Sequence, residues 1–136
     1  MKDILDLFGR LFLGALFLYE VVDFIFYADA IQEKMTLYGL TWRQDLLLNG
    51  AILCMLLGSV LVLIGYRSSF GAFLLLGYWL PVSLIVHAFW NYPDAEQREQ
   101  FEQLMKNLAI CGGLLLVLVN GSGRFSVKRL FSTVKV

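Results

Sequence analysis

Four apolar stretches, each close to the length that crosses a lipid bilayer, decide what this sequence can fold into. A spanning helix needs about 20 apolar residues to cross about 30 Å of hydrocarbon, and a helix satisfies its own backbone hydrogen bonds there. Polar residues separate the four stretches. The sequence therefore predicts an all-α fold, a bundle of four transmembrane helices over residues 4–26, 45–64, 69–90 and 101–119.

The composition agrees with a membrane protein. Hydrophobic residues make up 59% of the 136 residues and charged residues 16%, which is more apolar than an ordinary soluble domain. Lys and Arg together number 11, and so do Asp and Glu, so there is no basic excess for binding nucleic acid. We expect a single membrane domain over residues 1–136, in contact with lipid and without a nucleic-acid partner.

The charged residues between the spans predict an orientation. One side of a four-pass chain has Asp3 and Asp6 against a larger set of cations, partly in a basic tail over residues 120–136: Lys2, Arg67, Arg124, Lys128, Arg129 and Lys135. The other side has Lys34, Arg43 and Arg98 against seven acids: Asp29, Glu33, Asp45, Asp94, Glu96, Glu99 and Glu102. Cytoplasmic loops carry the excess of Lys and Arg. We therefore expect a multi-pass membrane protein with both termini in the cytoplasm.

The connections and glycines give three local expectations. Residues 29–38, between the first two spans, are too polar to cross, so we expect a short interfacial helix on the outer side that Gly39 ends. Asp94 is expected to cap the fourth helix, with Gln97 completing a capping box. The pair Gly112-Gly113 is expected to mark the tightest helix crossing.

Polar residues inside the spans are the candidate functional residues. Glu20 and Asp23 lie three residues apart in the stretch FLYEVVDFIF, about 24 and 29 Å from Ile4 along the first helix. Residues of the other spans reach a similar level: Asn49, His87, Trp90, Asn91, Lys106 and Asn107. Ionisable residues within a membrane usually face the bundle interior and mark functional sites. We therefore expect a polar pocket open toward the outer leaflet, in which Lys106 pairs with Glu20 or Asp23.

The same residues also allow a structural interpretation. Near a helix end they can pair or snorkel and so fix the helix register, and His87 can be a satisfied packing residue. Cys54 and Cys111 lie in apolar runs without metal-binding spacing, so we expect unlinked, unreactive thiols and no metal site. A proton or solute pathway is disfavoured, because residues 50–65 and 70–86 contain no charge.

Several stretches resemble the DoxX family of four-helix inner-membrane proteins, and most of all its Bacteroidetes-type branch. They are LGALFLYE in the first span, HAFWN at residues 87–91, MKN at 105–107, Gly112-Gly113 and the closing Gly121-Ser122-Gly123 with Ser126. The resemblance covers nearly the whole chain. It implies a compact four-helix bundle and, as in some relatives, a small membrane subunit of a thiosulfate:quinone oxidoreductase or another redox complex. The second span departs from a common family pattern, since no glutamate precedes Gly58.

Two functional readings follow. In the first, the protein is a small accessory subunit of a quinone-linked redox complex, and its outer pocket binds quinone or another amphipathic molecule. In the alternative, it is a non-catalytic anchor, assembly or interaction protein, and the polar residues only lock the helices. Either reading implies a protein partner in a membrane complex, or further copies of the chain. The sequence assigns no catalytic residue.

Overall fold

The protein is helical wherever the structure describes it. The computed structural model describes residues 1–127, and within them there is no strand. The elements are α1 (Lys2–Phe26), α2 (Ala28–Leu37), α3 (Gln44–Ile64), α4 (Ser68–Val86), a 3-10 turn (Phe89–Asn91) and α5 (Asp94–Asn120). The predicted all-α fold is confirmed. Three of the predicted tail cations, Lys128, Arg129 and Lys135, lie outside the described residues.

Three helical stretches are long and apolar enough to cross a membrane. They are α3, α4 together with the 3-10 turn, and α5. The helices α1 and α2 pass the same criterion as a pair that bends by 92°. The described part of the chain therefore has three candidate spans, or four if the bent pair counts as one span, as in a multi-pass membrane protein. Which side of the membrane holds the termini stays a prediction.

The alternating direction of the long helices gives the bundle two ends. The N-terminus of α1, the α3–α4 connection and the residues after α5 lie at one end, here called the Arg10 end. The bend between α1 and α2, the start of α3, the turn after α4 and the start of α5 lie at the other, the His87 end. The core between them contains fully buried side chains from every long helix, among them Phe17, Met55, Leu75 and Leu114.

The helices pack unevenly around this core. The helix α3 packs closely on α1 and α4, and α4 packs closely on α5, whereas α1 and α5 meet much less. The closest approach is between α3 and α4, because a Cβ atom on Gly71 would lie 2.7 Å from the carbonyl oxygen of Gly58. The predicted tight crossing at Gly112-Gly113 is wrong. A Cβ on Gly112 would meet no atom within 4 Å, and one on Gly113 would touch only the side chain of Leu13.

The ends of α2 and α5 test two local predictions. The helix α2 ends as expected before Gly39, whose φ is +77°. The N–H of Leu40 donates to the carbonyl oxygen of Met35 at 2.8 Å, as in a Schellman motif. The capping box at Asp94 is wrong, because Pro93 is the N-cap of α5. The carbonyl oxygen of Pro93 already accepts the first helical hydrogen bonds, and the Gln97 amide instead donates to the Asp94 carboxylate.

The third span leaves the α-helical conformation earlier than the sequence indicates. The helix α4 continues through Pro81 and ends at Val86, before the predicted end at Trp90. The backbone of His87 turns away with φ −106° and ψ 40°. The hydroxyl of Tyr92 then donates to the carbonyl oxygen of Val86 at 3.1 Å, which satisfies one of the carbonyls that a helix end leaves without a partner.

Candidate functional site

A buried arginine closes one end of the bundle. Arg10 has 0% of its surface exposed. Its Nε donates to Asp6 Oδ2 at 3.1 Å, its Nη1 to the carbonyl oxygen of Val62 at 3.3 Å, and its Nη2 to that of Phe125 at 2.6 Å. A buried cation is tolerated when such partners surround it. Arg10 therefore joins α1, the end of α3 and the segment after α5.

The segment after α5, residues 121–126, folds back over Arg10. The backbone N–H of Ser68 donates to the hydroxyl of Ser122 at 3.2 Å. Arg124 pairs with Asp3 at 3.4 Å. Gly65 has φ +71°, and a Cβ there would meet both Arg10 and Ser126. The Arg10 end is thus closed by contacts that leave no room for a ligand at Gly65.

Sequence reasoning missed Arg10. The available signal was local: Asp6 and Arg10 lie four residues apart on an apolar helix, a spacing that favours an ion pair. The two carbonyl oxygens that complete the site come from residues 62 and 125. Those contacts depend on tertiary packing, so the sequence offered no sign of them.

The predicted pocket residues differ in exposure. Four are half-buried: Glu20, Asp23, His87 and Asn107. Four are exposed: Asn49, Trp90, Asn91 and Lys106. Within residues 1–127, the ion pairs are those of Arg10 with Asp6, Arg98 with Glu102, and Arg124 with Asp3. The expected pairing of Lys106 with Glu20 or Asp23 is therefore not formed in this part of the chain.

His87 links the end of α4 to α5. Its Nδ1 lies 2.9 Å from Oε1 of Gln100, a hydrogen bond in which the ring N–H donates. The ring of Phe89 packs edge-on against Phe101, with ring centroids 5.3 Å apart. Nearby, partial burial and then a hydrogen bond with Tyr38 raise the pKa of the Tyr92 phenol to about 12. Sequence reasoning predicted His87 but missed Gln100, its partner.

The helices α1 and α5 pack only sparsely against each other. They meet where Leu13 packs against Gly113. Glu20 lies seven residues after Leu13, and Lys106 lies seven residues before Gly113. Because α1 and α5 run in opposite directions, both charges lie two turns, about 10 Å, beyond this contact and on the facing sides of the two helices. They lie at about the same level without forming an ion pair. This edge of the bundle, where α1 and α5 make few contacts, is here called the open edge.

Aromatic residues fill the bundle behind this open edge. Phe17 packs edge-on against Trp79 with ring centroids 5.1 Å apart, and Phe24 packs against Tyr78 at 6.5 Å. Phe17 and Phe24 lie about one turn before and one turn after Glu20 on α1. The buried Nε1 of Trp79 has no hydrogen-bond partner among the described residues. Aromatic side chains therefore fill the space between α1 and α4.

The acidic residue nearest the end of α1 lines a surface concavity. It is shallow, about 390 Å³, and its lining consists of Tyr19, Val22, Asp23, Phe26 and Tyr27. All five residues belong to the last turns of α1 and the bend that follows. The aromatic residues among them are largely exposed, Phe26 by 77%. Asp23 thus lies on the outside of the bundle, beside the open edge.

The cysteines are single thiols. Cys54 and Cys111 are not linked to each other, as predicted, and the thiol of Cys54 donates to the carbonyl oxygen of Leu74 at 3.3 Å. Among residues 1–127, no three His, Cys, Asp or Glu side chains are grouped to hold a metal ion.

Comparison with known proteins identifies the family. The SURF4 family model matches residues 35–131, which is more than half of the chain. No curated protein and no solved structure matches it. The match corrects the DoxX assignment, since most of the motifs that carried that resemblance, HAFWN and MKN among them, fall inside the region that the SURF4 model describes. This chain belongs to the SURF4 family.

Proposed function

We propose that the protein is a non-catalytic membrane interaction protein whose binding site is the open edge between α1 and α5 at the His87 end. One observation carries this proposal. The buried charge at the Arg10 end is paired within the chain, whereas Glu20, Asp23 and Lys106 have no ion-pair partner among residues 1–127.

Unpaired charges at this depth are costly. Insertion scales place an Asp or Lys at the centre of a spanning helix at about 2.5 to 3.5 kcal/mol. The cost falls toward the interface, where a long side chain can reach water. Glu20 lies about one turn deeper than Asp23 and is half-buried. A bound partner that supplies the opposite charge would remove this cost. A purely structural role does not explain why the charges are left without an ion-pair partner.

The redox reading is not retained. It rested on the resemblance to the DoxX family, which the SURF4 match overturns. The pocket expected from the sequence is kept in a narrower form, with Glu20, Asp23 and Lys106 as binding residues. His87 and Asn107 are half-buried and are not assigned a binding role. His87 is already hydrogen-bonded to Gln100.

We also propose the orientation that the sequence favours: the protein lies in the inner membrane, and its Arg10 end faces the cytoplasm. Described cations at that end include Lys2, Arg67 and Arg124, while exposed acids such as Glu96 and Glu99 lie at the His87 end. A tag fused to the N-terminus would be protected from protease added outside sealed right-side-out vesicles. Cleavage of that tag would contradict the orientation without affecting the binding proposal.

Site-specific photo-crosslinking tests the binding proposal. Tyr19 and Phe12 both lie on α1, seven residues apart on one face, with exposures of 66% and 72%. We expect benzoylphenylalanine at position 19 to give a discrete crosslinked protein in intact membranes, and the same group at position 12 to give much less. No adduct at position 19, or equal adducts at both positions, would contradict a binding site at the His87 end.

A further inference from the structure

We infer that the open edge binds a second copy of this chain, so that the protein forms a two-fold dimer through α1 and α5. The inference rests on the proposed function and names the partner for the same site. Its first support is charge: Glu20 on α1 and Lys106 on α5 lie at the same level and carry opposite charges, and neither has an ion-pair partner among the described residues.

A two-fold axis along the membrane normal satisfies both charges at once. Rotation by 180° about an axis beside the open edge places α1 of one copy opposite α5 of the other copy. The same rotation places α5 of the first copy opposite α1 of the second. Glu20 then faces Lys106 of the second copy, and Lys106 faces the second Glu20. Such an interface is isologous and closes after two copies. Because rotation about this axis leaves depth unchanged, Glu20 and Lys106 of the second copy lie at the same level as Glu20 and Lys106 do within one copy.

The surface of α5 beside Lys106 allows close approach. Ala109, one turn further along, is exposed. Gly112, one turn beyond it, has no atom within 4 Å of the position that a Cβ would occupy. Small residues let two membrane helices approach closely, which strengthens their packing. On the α1 side, the exposed ring of Tyr19 offers apolar surface next to Glu20.

Other occupants fit the charges less completely. A partner helix with a basic residue would pair with Glu20 and leave Lys106 without an acid. A zwitterionic lipid headgroup could bind both charges, but it would not use the small residues Ala109 and Gly112. The second copy accounts for the acid, the cation and the small residues together.

Disulfide crosslinking between separate chains tests the dimer. Two tagged versions are co-expressed in a background with Cys54→Ala and Cys111→Ala, one carrying Glu20→Cys and the other Lys106→Cys. Under mild oxidation in native membranes, we expect a product of doubled mass that carries both tags. The matched control pairs Lys106→Cys with Leu53→Cys, which is 66% exposed on α3 and should give only background. A yield no higher than that control would overturn the inference.

A second version places both cysteines on one chain. Crosslinking mainly within that chain, without doubled mass, would show that the two positions meet in one copy and would also overturn the dimer.

Charge reversal provides a test without cysteines. Glu20→Lys or Lys106→Glu alone should lower the dimer fraction in lipid nanodiscs about tenfold, and the double reversal should restore it. Failure of the double reversal to restore the dimer would contradict reciprocal pairing.

The outcomes separate this inference from the proposed function. If position 19 photo-crosslinks to a different protein and no dimer forms, the dimer inference fails and the binding proposal stands. If zwitterionic lipid co-purifies, is lost in both single charge reversals, and no dimer forms, lipid is the occupant and the dimer inference also fails. If neither adduct nor dimer appears, both fail.

Discussion

At the Arg10 end, a fully buried guanidinium binds a carboxylate and two backbone carbonyl oxygens, whereas at the His87 end Glu20 and Lys106 lie level with each other and remain unpaired among the described residues. Both ends contain acids and a cation on α1 and its neighbours. At the Arg10 end the acid and the cation lie four residues apart on one helix, whereas Glu20 and Lys106 lie on two helices that make few contacts with each other. In this bundle the paired charge at the Arg10 end holds neighbouring segments together. The unpaired charges at the His87 end are free to bind a partner.

Removing the Arg10 guanidinium should have the largest effect on stability. Arg10→Gln leaves Asp6 and the carbonyl oxygens of Val62 and Phe125 without their donor. Breaking a buried pair by removing one partner costs about 3 kcal/mol or more, so we expect a clear fall in the thermal unfolding midpoint in detergent. The matched control is Arg124→Gln, because Arg124 is 67% exposed in its pair with Asp3, and it should change stability by less than about 1 kcal/mol. Equal effects of the two variants would contradict the closed Arg10 end.

A glycine comparison tests the same contrast on α3. Gly65 has φ +71°, and a Cβ would meet Arg10 and Ser126, so Gly65→Ala should destabilise by about 1 to 2 kcal/mol from the backbone conformation alone. Gly50, in the helix near the His87 end, has no atom within 4 Å of a Cβ position. Gly50→Ala should be neutral or stabilising by up to about 1 kcal/mol. Unfolding midpoints of the two variants, measured side by side, check this difference.

The hydrogen bond between His87 and Gln100 should contribute modestly. Gln100→Ala removes a half-buried acceptor 2.9 Å from the ring nitrogen, and one such bond contributes about 1 kcal/mol net. Gln103→Ala, also half-buried on α5, is the control and should have a smaller effect. If Gln100→Ala destabilised the protein as much as Arg10→Gln, the His87 end would be locked rather than open.

The sequence predicted those features that depend on local pattern. Apolar length predicted the long helices, and Gly39 predicted the end of α2, because both are properties of neighbouring residues. The level of Glu20 and Lys106 also followed from counting helical rise. Whether their side chains meet could not be predicted in this way, because counting residues along a helix gives no distance between two helices. Arg10 was missed for a related reason: its carbonyl partners are 52 and 115 residues away in the chain.

Whether Glu20 and Lys106 bind a partner can be measured as the yield of the photo-crosslinked adduct from position 19 in a chain that also carries Glu20→Gln and Lys106→Gln. If these charges bind a partner, the adduct should fall to the level seen from position 12, while the unfolding free energy of the chain changes by less than about 0.5 kcal/mol. If the adduct yield is unchanged and the chain is instead destabilised, the charges lock the helices and the account of an open, binding His87 end is wrong.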